Sequence, residues 1–138
     1  MTTRVLFLCP HSAGKSLLAA TYFRAAAARH GIDVAIDVAG PDPDETNMSN
    51  VVTALEQQGH AISWTPRLVT GADTDAADLV ISVGCELESL PTSGPVTEWD
   101  VPMLSEDFAG SVQAIHAAAE QMATSWTATR GDAVDCRG

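Results

Sequence analysis

The chain has 138 residues, 7 Lys+Arg against 18 Asp+Glu, a formal charge of −11, and 46 % apolar residues. One domain of ordinary size fits that length, and the apolar share excludes wholesale disorder. The acidic balance excludes a broadly nucleic-acid-binding or anionic-membrane surface, and no run nears the roughly 20 apolar residues of a membrane span.

Met1 to Leu8 lacks the basic start and long apolar stretch of a signal peptide, so cytoplasmic residence is expected. Arg4-Val5-Leu6-Phe7-Leu8 reads as a buried strand. Cys9 to Gly14 reads as a loop, and Ser16 to His30 as a helix stopped by Gly31. Ile32 to Val38 is a second strand, and Pro41-Asp42-Pro43-Asp44 a loop. Asn47 or Ser49 is expected to cap a helix through Val52, Ala54 and Leu55 that ends before Gly59. Asp78 to Val83 is a third buried strand, and a short fourth lies within Val96 to Val101. Ser105 or Ser111 is expected to open a last helix through Val112, Ile115, Ala119 and Met122. The domain is assigned to residues 1–130, with a mobile polar tail over 131–138. Strands alternating with helices predict a parallel sheet with helices on both faces.

The segment Cys9-Pro10-His11-Ser12-Ala13-Gly14-Lys15-Ser16 carries the chemistry. It follows a strand and opens a helix, the place where a parallel sheet binds ligands. The unpaired N–H groups and positive dipole end of that helix make an oxyanion cradle of Pro10, His11, Ser12, Ala13 and Gly14. Lys15 adds a full positive charge, Ser16 a hydroxyl, and that field would hold Cys9 as the nucleophilic thiolate. His11 can raise the local positive potential or serve as a solvent-facing spacer. Two phosphate motifs compete here. Gly14-Lys15-Ser16 matches the end of the nucleotide loop G-x-x-x-x-G-K-[ST], but Cys9 stands where its first glycine belongs. The cysteine loop C-x-x-x-x-x-R-[ST] of cysteine-dependent phosphatases matches at Cys9 and Ser16, with Lys15 for arginine. The short chain favours the second, since it leaves little room for a nucleotide hydrolase with its switches.

Val5 to Ala20 resembles the opening of the low-molecular-weight protein-tyrosine-phosphatase and arsenate-reductase superfamily. Its pattern is a strand, C-x-x-N-x-x-[RK]-S, then a helix of small and apolar residues. Asp37-Val38-Ala39-Gly40 is similar to the family's "SAGT" strand end, and Val52-Ala54-Leu55 with Gly59-His60-Ala61-Ile62 to its "A-L-x-x-x-G-I" helix. Asp78 to Cys85 resembles the "D-L-V-I-T-M-G-C" strand of thiol-dependent arsenate reductases, and Glu98-Trp99-Asp100 their "E-x-W" segment. The resemblance implies a flavodoxin-like α/β single domain with a four-stranded parallel sheet and helices on both faces.

Three departures refine the implied chemistry. Lys15 is the only lysine among seven basic residues, and it replaces a bidentate arginine with a point charge. A lysine here resembles the mycothiol-dependent arsenate reductases. Ser12 replaces the loop asparagine. Met103-Leu104 falls where the general-acid D-P pair belongs, which leaves Asp100 and Asp107 as candidate acids. Expelling a phenolate needs that acid more than arsenate reduction does. The resemblance therefore implies an arsenate reductase with Cys9, Lys15 and Ser16 as its catalytic residues. It implies no bound cofactor, a mycothiol-like small external thiol as co-substrate and a redoxin as recycling partner. A low-molecular-weight phosphatase and a degraded, non-catalytic oxyanion or protein binder are the alternatives. The partner expected is a small oxyanion, arsenate or phosphate, with neither nucleic acid nor membrane. Three cysteines at 9, 85 and 136 argue against a disulfide framework. Cys85 and Cys136 are candidate resolving thiols, against a core filler and an untethered tail thiol respectively. His30, His60 and His116 show no metal spacing and read as surface or boundary residues. Asp42, Asp44 and Glu45 read as a solvated acidic loop, and Trp99 as a wall for the ligand loop.

Overall fold

A computed structural model describes the backbone of residues 2–84, 90 and 94–135, and the corresponding side chains as far as residue 126. Strand β1 (Thr3–Leu8) leads into helix α1 (Lys15–His30), followed by β2 (Val34–Ala39) and α2 (Ser49–Gln57). Then come α3 (Gly71–Ala76), β3 (Leu79–Ser82), β4 (Thr97–Glu98) and α4 (Phe108–Asp135). The four strands form one parallel sheet in the order β2-β1-β3-β4. β1 is central, pairing Leu8 with Ala39 on one side and with Ser82 on the other. The chain therefore reverses its direction of travel across the sheet at β1, and the carboxyl end of β1 is the switch point where such sheets bind ligands.

β1 is apolar on both faces because both faces are covered. Val5 and Phe7 enter the larger core with Leu17, Leu18 and Phe23 of α1, Val51 and Leu55 of α2, and Ile115 and Ala119 of α4. Leu6 and Leu8 enter a smaller core with Ala39, Val69, Val80 and Leu90. The alanines of α1 let α4 approach closely, and Ala19, Ala20, Ala26 and Ala119 are fully buried. Phe7 stacks tilted on Phe23, with ring centroids 5.9 Å apart, and edge-on to Trp99 at 5.5 Å.

The differences from the sequence reading lie at element ends. Neither Asn47 nor Ser49 caps α2: Met48 holds the cap position without a side-chain bond, while Asn47 Nδ2 donates to the Trp64 carbonyl. Neither Ser105 nor Ser111 opens α4. Asp107 precedes the first helical residue, and its carboxylate accepts from the Gly110 N–H at 3.0 Å. Helix α3 was not expected. It is six residues long, below any periodicity, and stands on a capping box in which Thr70 and Asp73 exchange side-chain and backbone bonds. Of the predicted tail, residues 136–138 lie outside the described residues, and so do Cys85 and Cys136.

One backbone approach fixes the site. Gly40, just past β2, lies so close beneath the loop after β1 that a Cβ there would press on the Cys9 carbonyl. It would also sit 2.9 Å from Ser12 N and 3.0 Å from the Pro10 carbonyl. These are backbone atoms, so no rotamer relieves the clash. Gly40→Ala is expected to destabilise the fold by about 3 kcal/mol, the upper end of ordinary overpacking. Chemical denaturation reads this directly; a loss under about 0.5 kcal/mol would mean that the approach is looser than described.

Candidate active site

Residues 9–16 wrap around the amino end of α1; the segment after β2 takes up three of their carbonyls, and the loop and helix take up two more. Ser12 N–H donates to the Cys9 carbonyl at 3.3 Å, Asp42 N–H to Pro10 at 3.0 Å and Asp44 N–H to His11 at 2.9 Å. Met48 N–H donates to Ala13 and Leu18 N–H to Gly14, both at 3.0 Å. These bonds turn the loop carbonyls toward chain amides. Gly14 occupies the N-cap of α1 with no side-chain bond, and the first turn holds no acidic residue. The first amides of the helix and its positive dipole end therefore face an anion site rather than a cap.

Cys9 is 3 % exposed, at the base of a cleft of about 320 Å³. Its Sγ lies 3.0 Å from the Ser16 Oγ, which is itself buried. Pro10, His11, Gly14 and Lys15 line the same cleft, with Asp44, Met48, Met103, Leu104 and Ser105. The Lys15 ammonium rests against Gly84 at the end of β3, where any side chain would collide with it, and Gly84 has φ +92°. The buried Ser12 and Ala13 complete the loop from behind. Thus the structure brings together Cys9, Pro10, His11, Ser12, Ala13, Gly14, Lys15 and Ser16.

It does not bring in the two expected acids. Among the described residues lining the cleft, neither Asp100 nor Asp107 appears, and the Asp107 carboxylate is engaged at the start of α4. Trp99 packs on Phe7 in the core rather than walling the cleft. Asp42 and Asp44 are more than a solvated acidic loop: their carboxylates lie 3.6 and 3.7 Å from His11 Nδ1. His60 and His116 flank the Tyr22 ring, and burial pushes the Tyr22 hydroxyl above its usual range. Among the described residues no group of three or more His, Cys, Asp or Glu is placed to hold a metal ion. No described helix is long and apolar enough to cross a membrane.

Ser12 has φ +55°, a left-handed conformation that asparagine tolerates and serine rarely adopts. Arg67, which the sequence did not single out, holds it there. The Arg67 N–H donates to Ser12 Oγ at 3.3 Å, and the Arg67 carbonyl accepts from Gly40 N–H at 3.0 Å. Its guanidinium forks onto both Asp73 oxygens at 3.0 Å and reaches Asp37 at 2.7 Å. The capping box of α3 thereby anchors the residue that braces the loop.

The model for low molecular weight phosphotyrosine protein phosphatase matches residues 4–121. The chain belongs to this family. No curated protein sequence matches it. Three solved structures place this phosphatase-family fold among relatives of mixed chemistry. A thioredoxin-dependent arsenate reductase of Corynebacterium glutamicum is 24 % identical with TM-score 0.75, over 93 % of this chain and 63 % of that one. This chain thus spans under two thirds of that protein. An arsenate reductase of Archaeoglobus fulgidus is 28 % identical with TM-score 0.67, over 90 % and 98 % of the two chains. A low molecular weight phosphotyrosine phosphatase of Vibrio cholerae O395 is 18 % identical with TM-score 0.76, over 91 % and 97 %. The family and these neighbours are enzymes.

The brace has a pH signature. The hydrogen bonds from Arg67, outweighing partial burial, hold the Asp73 carboxyl below its usual value of 3.8. A carboxyl lowered on folding stabilises the fold above its unfolded value, and that contribution is lost as pH falls through the folded value. Wild-type protein is therefore expected to lose thermal midpoint more steeply than Asp73→Asn below about pH 4. Parallel melting curves for the two proteins would remove the brace from the account.

Proposed function

We infer that the protein is a cysteine-dependent oxyanion enzyme that reduces arsenate with a small external thiol. The observation that carries this reading is the composition of the cleft. It holds a cysteine, a lysine and an uncapped helix end, while Met103 and Leu104 occupy the wall where the resemblance expects the aspartic acid. An aryl phosphate must expel a phenolate, for which general-acid help is worth ~10²–10⁴-fold. Arsenate carries hydroxyl groups of its own and gives up its oxygen as water, so it leans less on an acid from that wall.

In this mechanism the Cys9 thiolate attacks arsenic, an S–As bond forms, and one As–O bond breaks as water departs. An external thiolate then attacks the Cys9 sulfur. The S–As electron pair passes to arsenic, which leaves as arsenite, and Cys9 is held in a mixed disulfide. A second thiol releases Cys9 and carries away the disulfide. Lys15 and the amides of the loop balance the oxyanion's charge, and the Ser16 hydroxyl hydrogen-bonds the sulfur at 3.0 Å. A mycothiol-like thiol, recycled by a redoxin, suits this scheme, and the thioredoxin dependence of the C. glutamicum neighbour is consistent with it. The same cleft also supports a second reading, phosphate-ester hydrolysis, through the family it belongs to.

Arsenite production from arsenate is expected only with added thiol, and Cys9→Ser should abolish it. Hydrolysis of p-nitrophenyl phosphate without thiol, in the absence of arsenate turnover, would replace the first reading by the second. Phosphate is expected to slow iodoacetamide alkylation of Cys9; a Cys9 unprotected by phosphate or arsenate would overturn both.

A further inference from the structure

We propose that His11 is the proton donor to the oxygen that leaves the bound oxyanion, and that Asp42 and Asp44 hold it for that task. This rests on the reading above, that Cys9 displaces an oxygen from an oxyanion in this cleft. A departing hydroxide or alkoxide needs a proton, and the sequence position expected to give it is Met103. Among the described residues lining the cleft, four carry an ionisable group: Cys9, His11, Lys15 and Asp44. Cys9 is spent as nucleophile, and Lys15 is the cation opposite the oxyanion. Asp44 faces His11 as an ion-pair partner at 3.7 Å. His11 is the group left over.

Its geometry fixes which nitrogen works. His11 Nδ1 lies 2.9 Å from the Asp42 carbonyl oxygen. A carbonyl only accepts, so Nδ1 carries a hydrogen in both the neutral and the charged ring. The exchangeable proton is therefore on Nε2, at the ring edge away from that carbonyl. The Asp42 and Asp44 carboxylates lie 3.6 and 3.7 Å from Nδ1, and Lys15 and Cys9 line the same cleft. The arrangement follows the logic in which a carboxylate and a carbonyl orient a histidine that exchanges its proton at the other nitrogen. The ring is tied to the cysteine covalently, two residues away in the same loop, and the Asp44 N–H bond to the His11 carbonyl ties the acidic loop to it as well.

The step balances simply. As the Cys9 sulfur bonds to arsenic or phosphorus, the bond to the leaving oxygen breaks, and the Nε2 proton passes to that oxygen. Water or alcohol departs, and His11 is left neutral. No electrons change hands in this step. For a phosphate ester, neutral Nε2 then takes a proton from the water that cleaves the S–P bond, which restores the imidazolium and the thiolate.

His11→Asn tests the role. Asparagine keeps a donor for the Asp42 carbonyl but has no exchangeable proton. Wild type and variant are compared across pH with arsenate plus dithiothreitol and with p-nitrophenyl phosphate. In whichever reaction wild type performs, kcat is expected to fall with rising pH. His11→Asn should lower kcat by ~10²-fold, leave KM within severalfold and erase that alkaline limb. Phosphate should still shield Cys9 from iodoacetamide in the variant. Wild-type kcat and pH profile in His11→Asn would overturn the proposal alone. Loss of phosphate protection in the variant would overturn it too, because His11 would then be holding the loop. A wild type with no protection and no turnover would overturn the reading of the site as well.

Discussion

The loop of residues 9–16 is a stretch of backbone whose carbonyls must all face away from the ligand, and the rest of the molecule meets that constraint. A peptide curled around an anion can present its amides only if its carbonyls find donors elsewhere. Here they find them in the segment after β2, through Asp42, Asp44 and Met48, and within the loop and helix themselves. Gly40 must be glycine because this second segment passes directly underneath. The parallel pairing of β1 with β2 brings the two segments to one end of the sheet, in a register that sets Leu8 beside Ala39. The double-sided burial of β1 then holds that end rigid.

Charge follows the same division. The protein is strongly acidic, yet the cleft gathers its only lysine, a helix N-terminus and a histidine. Several of the described carboxylates nearby are engaged: Asp42 and Asp44 by His11, Asp37 and Asp73 by Arg67, Asp107 by the start of α4. An acidic surface can therefore coexist with an anion site where local negative charges have partners. The long-range field disfavours an oxyanion at a distance, but it is screened within roughly 10 Å at ordinary ionic strength.

The loop was legible in sequence because its chemistry is contiguous: Cys9, Gly14, Lys15 and Ser16 lie within eight residues, between a strand and a helix that each announce themselves. The sheet was legible for the same reason, since apolar runs such as Val80-Ile81 can only be buried on both sides. What escaped notice was held by distance in the chain. Arg67 supports Ser12 across 55 residues, and no local pattern marks it. His11 stood between two readings, a source of positive potential and a solvent-facing spacer, because its partners, Asp42 and Asp44, are thirty-odd residues away. Helix α3 did carry a signal, the Thr70-x-x-Asp73 box, but six residues are too few to show a helical period. The caps of α2 and α4 were misplaced because several Ser, Asn and Asp residues compete at each start. Tertiary bonds decide among them, as when Asn47 goes to Trp64 instead.

The segment beneath the loop has one further property. In Pro41-Asp42-Pro43-Asp44 every second residue is proline, and proline has no N–H to give. The two amides that remain, at Asp42 and Asp44, are the ones that meet Pro10 and His11. A slip by one residue would present Pro41 and Pro43 in one direction and lose both bonds, or Pro43 and Glu45 in the other and lose one. The prolines thus work as a key cut to a single alignment. The identity of the side chains at 42 and 44 is consequently free of the task of setting the alignment, and can be adjusted to the chemistry of the histidine alone.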